Sequence, residues 1–163
     1  MKEILQQYAA YNIWANQRLF ECIINLSDDQ VDREIISSFS SIKKTICHIW
    51  DAESIWWQRI KLSERISRPS EEFSGGLTEM IKKLNLQSTE WKDWIDNSSE
   101  TQLEHVFAYQ NTKREQFKQP VYEMLMHLFN HGTYHRGQLV TLLRQTGVDK
   151  IPATDLIVFY RKR

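Results

Sequence analysis

The sequence predicts an all-α fold, a four-helix bundle with one small hairpin before the last long helix. Three observations carry this. Only five Gly and three Pro interrupt 163 residues, so long helices can run unbroken. Four segments repeat apolar residues at helical spacing. The connections between them are short or medium, which makes neighbours of the helices they join. A chain of this length fits one domain, residues 1–163, and can bury a core without a disulfide or a structural metal.

The first helix is expected over residues 2–25, where Ile4, Leu5, Tyr8, Tyr11, Ala15, Leu19 and Ile23 recur on one face. Ser27, Asp28 and Asp29 break it. Ser40 or Ser41 can cap a second helix that runs to about residue 63, with Ile42, Ile46, Ile49, Ala52, Trp56 and Ile60 inward. Pro69 and the Gly75-Gly76 pair mark a loop. A third helix covers 77–96 through Met80, Ile81, Leu84, Leu86, Trp91, Trp94 and Ile95. Within 103–118, Val106-Phe107-Ala108-Tyr109 reads as a strand and Asn111-Thr112-Lys113 as a turn, hence the hairpin. Pro120 suits the first position of a fourth helix, which ends at Gln145 or Thr146 before the stop at Gly147. Residues 155–160 read as a short closing helix.

Composition narrows the function classes. Lys plus Arg and Asp plus Glu each number 21, so the formal net charge is zero. A general nucleic-acid binder needs a basic face to displace phosphate counterions, and none is expected here. Arg161-Lys162-Arg163 reads as a solvated tail. Cys22 and Cys47 match no cysteine-rich metal motif. Residues 1–11 are too polar for a signal peptide, and no apolar run approaches the roughly 18 residues that span a bilayer. A cytoplasmic location and no membrane partner are therefore the expectation. There is no Gly-rich phosphate loop, no nucleophile elbow and no Glu-x-x-His pair for a di-iron site.

The histidines carry the chemistry. His127, His131 and His135 follow at steps of four on the fourth helix, and each step turns the side chain by only about 40°. Two imidazoles one turn apart can share an ion, and neutral imidazole suits Zn, Ni, Fe and Cu. His48, in mid-course of the second helix, is the candidate third ligand, and Ala52 one turn on leaves space beside it. The competing reading is that these are hydrogen-bonded core histidines. His127 reads as a core or outer neighbour, because three ligands down one helix stretch the geometry. His105, in the hairpin region, is read as no ligand. Cys47 points about 100° away from His48 and reads as core. Asp51 and Glu53 are candidate acceptors for a histidine N–H, with a solvated surface role an equal reading for Glu53. Trp50, Trp56 and Trp57 read first as core and second as pocket lining.

Three stretches resemble a known family. They are Tyr11-Asn12-Ile13-Trp14-Ala15-Asn16-Gln17-Arg18-Leu19, then residues 41–53 around Cys47-His48-Ile49-Trp50-Asp51, then Asn130-His131-Gly132-Thr133-Tyr134-His135-Arg136-Gly137-Gln138-Leu139 continuing into Leu142-Leu143-Arg144-Gln145-Thr146-Gly147. Residues 152–160 also fit. The chain thereby resembles the DinB-like (DNA-damage-inducible) family, which overlaps the YfiT-like metal-dependent hydrolases and thiol transferases. The resemblance implies an up-down-down-up bundle, often a homodimer, with a three-histidine site for nickel or zinc. Its ligands fall on His48, His131 and His135. The resemblance covers most of the chain except residues 69–118.

Three neutral ligands leave coordination positions open, the pattern of a reactive site. The leading expectation is a metal-dependent enzyme that activates a low-molecular-weight thiol or water for attack on a small electrophile. Bacillithiol transferases and mycothiol-dependent isomerases share the fold, so bacillithiol is the expected type of thiol. Gln138 or Asn16 would orient the substrate. Two other expectations stand beside it. One is a non-catalytic, stress-induced protein that binds metal or a partner. The other is a metal-dependent hydrolase, for which Asp51 or Glu53 would be the first candidates as base.

Overall fold

The computed structural model describes residues 1–111 and 113–161. Thr112 of the expected turn, and Lys162 and Arg163 of the expected tail, lie outside the described residues. In chain order the elements are α1 (Lys2–Ile23), α2 (Asp28–Asp32), α3 (Ile42–Ile60), α4 (Pro69–Glu72), α5 (Leu77–Asn97), α6 (Glu100–Glu104), β1 (Val106–Gln110), β2 (Gln116–Pro120), α7 (Val121–Gln145) and α8 (Leu156–Tyr160).

Side-chain pairings fix the directions of the four long helices. Gln6 donates to Asp96, so the start of α1 meets the end of α5 and the two run antiparallel. Cys47 meets Met80 and Trp57 meets Trp91, so α3 and α5 run parallel. Tyr8 packs on Phe129 and Asn12 accepts from Arg136, so α1 and α7 run parallel. His48 meets His135 while Trp56 meets His127, so α3 and α7 are antiparallel. The bundle is therefore up-down-down-up. Parallel neighbours need a connection that returns the length of a helix, which is the work of the long segment between α3 and α5. That segment is pinned midway, where the backbone N–H and hydroxyl of Ser70 donate to Asp51 at 3.0 and 2.6 Å.

The core divides into two apolar layers. One gathers Leu19, Ile23, Ile46, Ile49, Leu84, Leu139 and Leu143. The other gathers Leu5, Ala9, Trp91, Ile95, Leu125, Leu128 and Phe129. Between them in chain position lie buried polar residues from all four helices, namely Asn12, Asn16, Glu53, Ser88 and Arg136.

The expected elements form, with local differences. Ser41 is the cap of α3, its hydroxyl accepting from the Lys44 N–H. Pro120 closes β2 and caps α7 from outside, one position earlier than expected. Ile4 and Leu86, placed on the inward stripes by spacing, are exposed. Ser27 does more than break the first helix: with Gln30 it forms a capping box that starts α2, and Ser99 with Gln102 does the same for α6. The hairpin is antiparallel, Val106 opposite Pro120 and Tyr109 opposite Phe117. Phe107 is buried beneath it and Tyr109 packs edge-on against Trp56. At its tip the Asn111 side chain accepts from the Lys113 and Glu115 N–H groups.

Candidate metal centre

His48 projects from α3 and His131 and His135 project from the facing side of α7. The Nε2 atoms of His48 and His135 each lie 3.0 Å from Nε2 of His131. One donor atom from each ring falls within 4.8 Å of the others. Nitrogens bound tetrahedrally at about 2.0–2.1 Å would stand about 3.3 Å apart, so the three rings can hold an ion with little movement.

The rings are oriented from outside. The Gln138 side-chain oxygen lies 2.7 Å from His135 Nδ1, and the Gln138 amide donates to Ser38 at 3.1 Å. An acceptor at Nδ1 calls for hydrogen there, which leaves the lone pair on the Nε2 that faces the cluster. Phe39 stacks on His48 with ring centroids 4.1 Å apart and meets His135 edge-on. The loop before α3 thus covers one side of the site.

Burial sets the protonation state. It pulls His131 down to about 3, helped by the neighbouring His135, His48 and His127. It pulls His48 down to about 4, helped by His135 and Arg68. His135 is also lowered by burial, against the Gln138 hydrogen bond. Imidazoles that resist protonation are neutral near pH 7 and available as donors. Burial and the nearby Asp51 push the Cys47 thiol up; its sulfur lies 3.6 Å from that of Met80 on the core side, while the residue also lines the cavity beside His48.

Several expectations for the surrounding residues change. Asp51 serves no histidine, because Ser70 occupies both its oxygens. Glu53 is neither solvated nor a partner of a histidine. It is 3% exposed and accepts from Asn12 at 2.9 Å and Ser88 at 2.7 Å. Asn16 lies away from the cluster, buried, accepting from Arg136 at 3.0 Å. Gln138 orients His135, where it was expected to orient substrate. His127 is an exposed residue packed against Trp56, neither core nor ligand. His105 is exposed at the end of α6 and takes no part.

Sequence reasoning missed Phe39 and the network behind the site. Arg136, 2% exposed, donates to Asn12, Asn16 and Thr133. Asn12 in turn donates to Glu53, so one amide joins the guanidinium of α7 to the carboxyl of α3. Burial pushes the Glu53 carboxyl up to about 7, with Ser88, Asn12 and Arg136 opposing. Gly132 lets α1 approach: a Cβ there would stand 2.8 Å from Asn12 Oδ1 and 3.0 Å from the Arg136 guanidinium. The signal was present in the order His-Gly-x-x-His-Arg, where Gly clears the space that Arg136 fills from the next turn.

The DinB family model matches residues 1–161. Protein DinB of Bacillus subtilis (strain 168) is 30% identical over 151 residues, covering 87% of this chain and 86% of that protein. Among solved structures, YfiT from Bacillus subtilis, described as a probable metal-dependent hydrolase with an unusual four-helix bundle topology, aligns with a TM-score of 0.72 over 90% of each chain at 16% identity. A DinB-like protein from Bacillus subtilis, YjoA, aligns with a TM-score of 0.67 over 91% of this chain and 98% of its own at 15% identity.

Proposed function

The chain belongs to the DinB family, and from that premise we propose that it is a metal-dependent enzyme whose His48, His131 and His135 hold one divalent ion, nickel or zinc. The observation that carries this is the convergence of three neutral Nε2 donors, with the tautomer of His135 set by Gln138. When bound, such an ion supplies Lewis acidity, which lowers the pKa of a thiol or water at an open position. The reaction we favour is attack of a low-molecular-weight thiol, such as bacillithiol, on a small electrophile.

The chain's own groups support this division of labour. Phe39 shields one face of His48 from water. Ala52, one turn beyond His48, is small and lines a cavity of about 640 Å³ that opens beside the ring. Among the described residues, no free carboxylate lines that cavity: Asp51 lines it but is engaged by Ser70, and Glu53 is bound within the core. A thiol that ionises easily needs no such base, whereas water activation benefits from one. This ranks thiol transfer above hydrolysis. The description of YfiT as a probable metal-dependent hydrolase keeps hydrolysis as the second reading.

Elemental analysis of protein prepared without a nickel column, followed by thiol-conjugation assays with metal-loaded and metal-free protein, tests the proposal. Transfer that needs the ion supports it. Metal-dependent cleavage of esters or amides without thiol transfer would favour the hydrolase. Tight metal binding with no turnover would favour the non-catalytic, stress-induced binding protein. We further propose a cytoplasmic homodimer. Light scattering should return twice the 19.5 kDa chain mass, and a monomer at high concentration overturns that assembly. Among the described residues, no helix is long and apolar enough to cross a membrane.

A further inference from the structure

The cavity beside His48 does not end there. His48, Ala52, Ile55 and Arg59 follow along α3 at steps of four, three and four, so they share one stripe that rises about 16 Å from first to last. All four line the cavity of about 640 Å³. Its middle is apolar, through Ile55 and Trp56. Beyond, a second cavity of about 650 Å³ shares Ile55, Arg59 and Arg68 with the first and adds Arg65, Arg114, Glu64 and Glu71. A third, against the hairpin, also includes Arg59.

The other two cations that line the first cavity have carboxylate partners, whereas Arg65 and Arg114 of the second have none among the described residues. Arg68 pairs with Glu71 at 3.1 Å, and Lys44 stands 4.0 Å from Glu34. Arg59 has no carboxylate partner among the described residues, and its Nε is buried without a hydrogen bond. The guanidinium lies over Trp56 at 4.4 Å and near Tyr109 at 5.3 Å. Stacking fixes the plane and leaves the in-plane N–H donors unused, the arrangement that takes a carboxylate.

We infer that the stripe from His48 to Arg59 is a binding groove for an elongated small molecule that carries a carboxylate at Arg59 and its reacting group at the three histidines. Within the first cavity Arg59 is the one cation without a carboxylate partner among the described residues, which matches a single negative charge at that end and favours carboxylate over the dianion of a phosphate monoester. The reactive end rests on the metal-centre reading, while the Arg59 end stands on its own geometry.

The test uses cobalt(II)-loaded protein titrated with mercaptoundecanoate, mercaptoundecanol and the short mercaptoacetate, followed by the thiolate-to-cobalt absorption. Mercaptoundecanoate should bind about tenfold tighter than the matched alcohol, the scale of a charged hydrogen-bonded contact. In Arg59→Gln that advantage should vanish while mercaptoundecanol binds as before, which also reports an intact fold. Arg59→Lys should retain part of it. Mercaptoacetate, too short to reach Arg59, should be indifferent to the substitution. Calorimetry on metal-free protein with undecanoate separates the two ends. Arg59-dependent binding there, with no thiolate band in the cobalt protein, sinks the metal centre and leaves the groove standing. A thiolate band with no effect of Arg59→Gln overturns the groove. Tighter binding of undecyl phosphate than of undecanoate overturns the carboxylate assignment.

Discussion

Glu53 is the residue whose environment departs furthest from what its type suggests. A carboxyl whose pKa is raised to about 7 by burial prefers its proton in the folded chain, while the unfolded chain releases it near the ordinary 4.5. The fold therefore binds the extra proton between these values. Glu53 contributes stability that is present below the unfolded pKa and is lost as pH rises through about 7. Glu53→Gln mimics the protonated form and can still accept from Asn12 and donate to Ser88. The expected outcome is that wild type loses stability relative to Glu53→Gln as pH rises from about 5 to about 8. Glu53→Ala leaves the Asn12 amide and the Ser88 hydroxyl without their partner in the core, and should cost about 3 kcal/mol. Urea unfolding of the three proteins across that pH range measures both effects, and parallel pH curves for wild type and Glu53→Gln would refute the first. At this scale the sequence pointed to the clustered histidines but not to Glu53. Spacing on one helix brings His131 and His135 together, whereas a lone Glu acquires its character only from what α1 and α5 pack against it.

At the scale of the element, two glycines on α7 make opposite predictions. Gly137 is exposed and a Cβ there meets nothing within 4 Å. Gly137→Ala should stabilise the protein by about 0.5–1 kcal/mol through helix propensity and a less disordered unfolded chain. Gly132 faces α1, and the clashes at 2.8 and 3.0 Å involve side chains already fixed by the buried network. Gly132→Ala should destabilise by about 1–3 kcal/mol. Thermal melts of the two variants beside wild type decide it, and equal effects would mean that the contact between α7 and α1 at Gly132 has room for a methyl group. The long helices were legible because their periodicity persists over many turns. The short α2 and α6 were not, since five residues offer no period. Their capping boxes, Ser27 with Gln30 and Ser99 with Gln102, were the available signal. Leu86 and Ile4 misled because apolar residues at near-inward angles still face water where no neighbouring helix reaches them.

The direction of the helices in the whole bundle was legible only through family resemblance, because periodicity marks an inward face without saying which helix faces it. The observed order sets α3 against α7, so the proposed ion would join two helices far apart in sequence. Such a tie adds stability only when occupied. A ligand that binds the native state alone stabilises it by about 2.7 kcal/mol at a hundredfold excess over its dissociation constant. Wild type should therefore melt higher with metal than without it. His131→Ala removes the middle donor, the one 3.0 Å from both others, and should abolish most of that shift. Its metal-free melting point should stay near that of metal-free wild type, because both apolar layers and the Arg136 network are untouched by the substitution. Calorimetric melts of both proteins, each with and without nickel or zinc, give the four values needed. A full metal shift retained by His131→Ala would remove it from the ligand set. A variant that unfolds where metal-free wild type is folded would recast His131 as a packing residue of the α3–α7 contact.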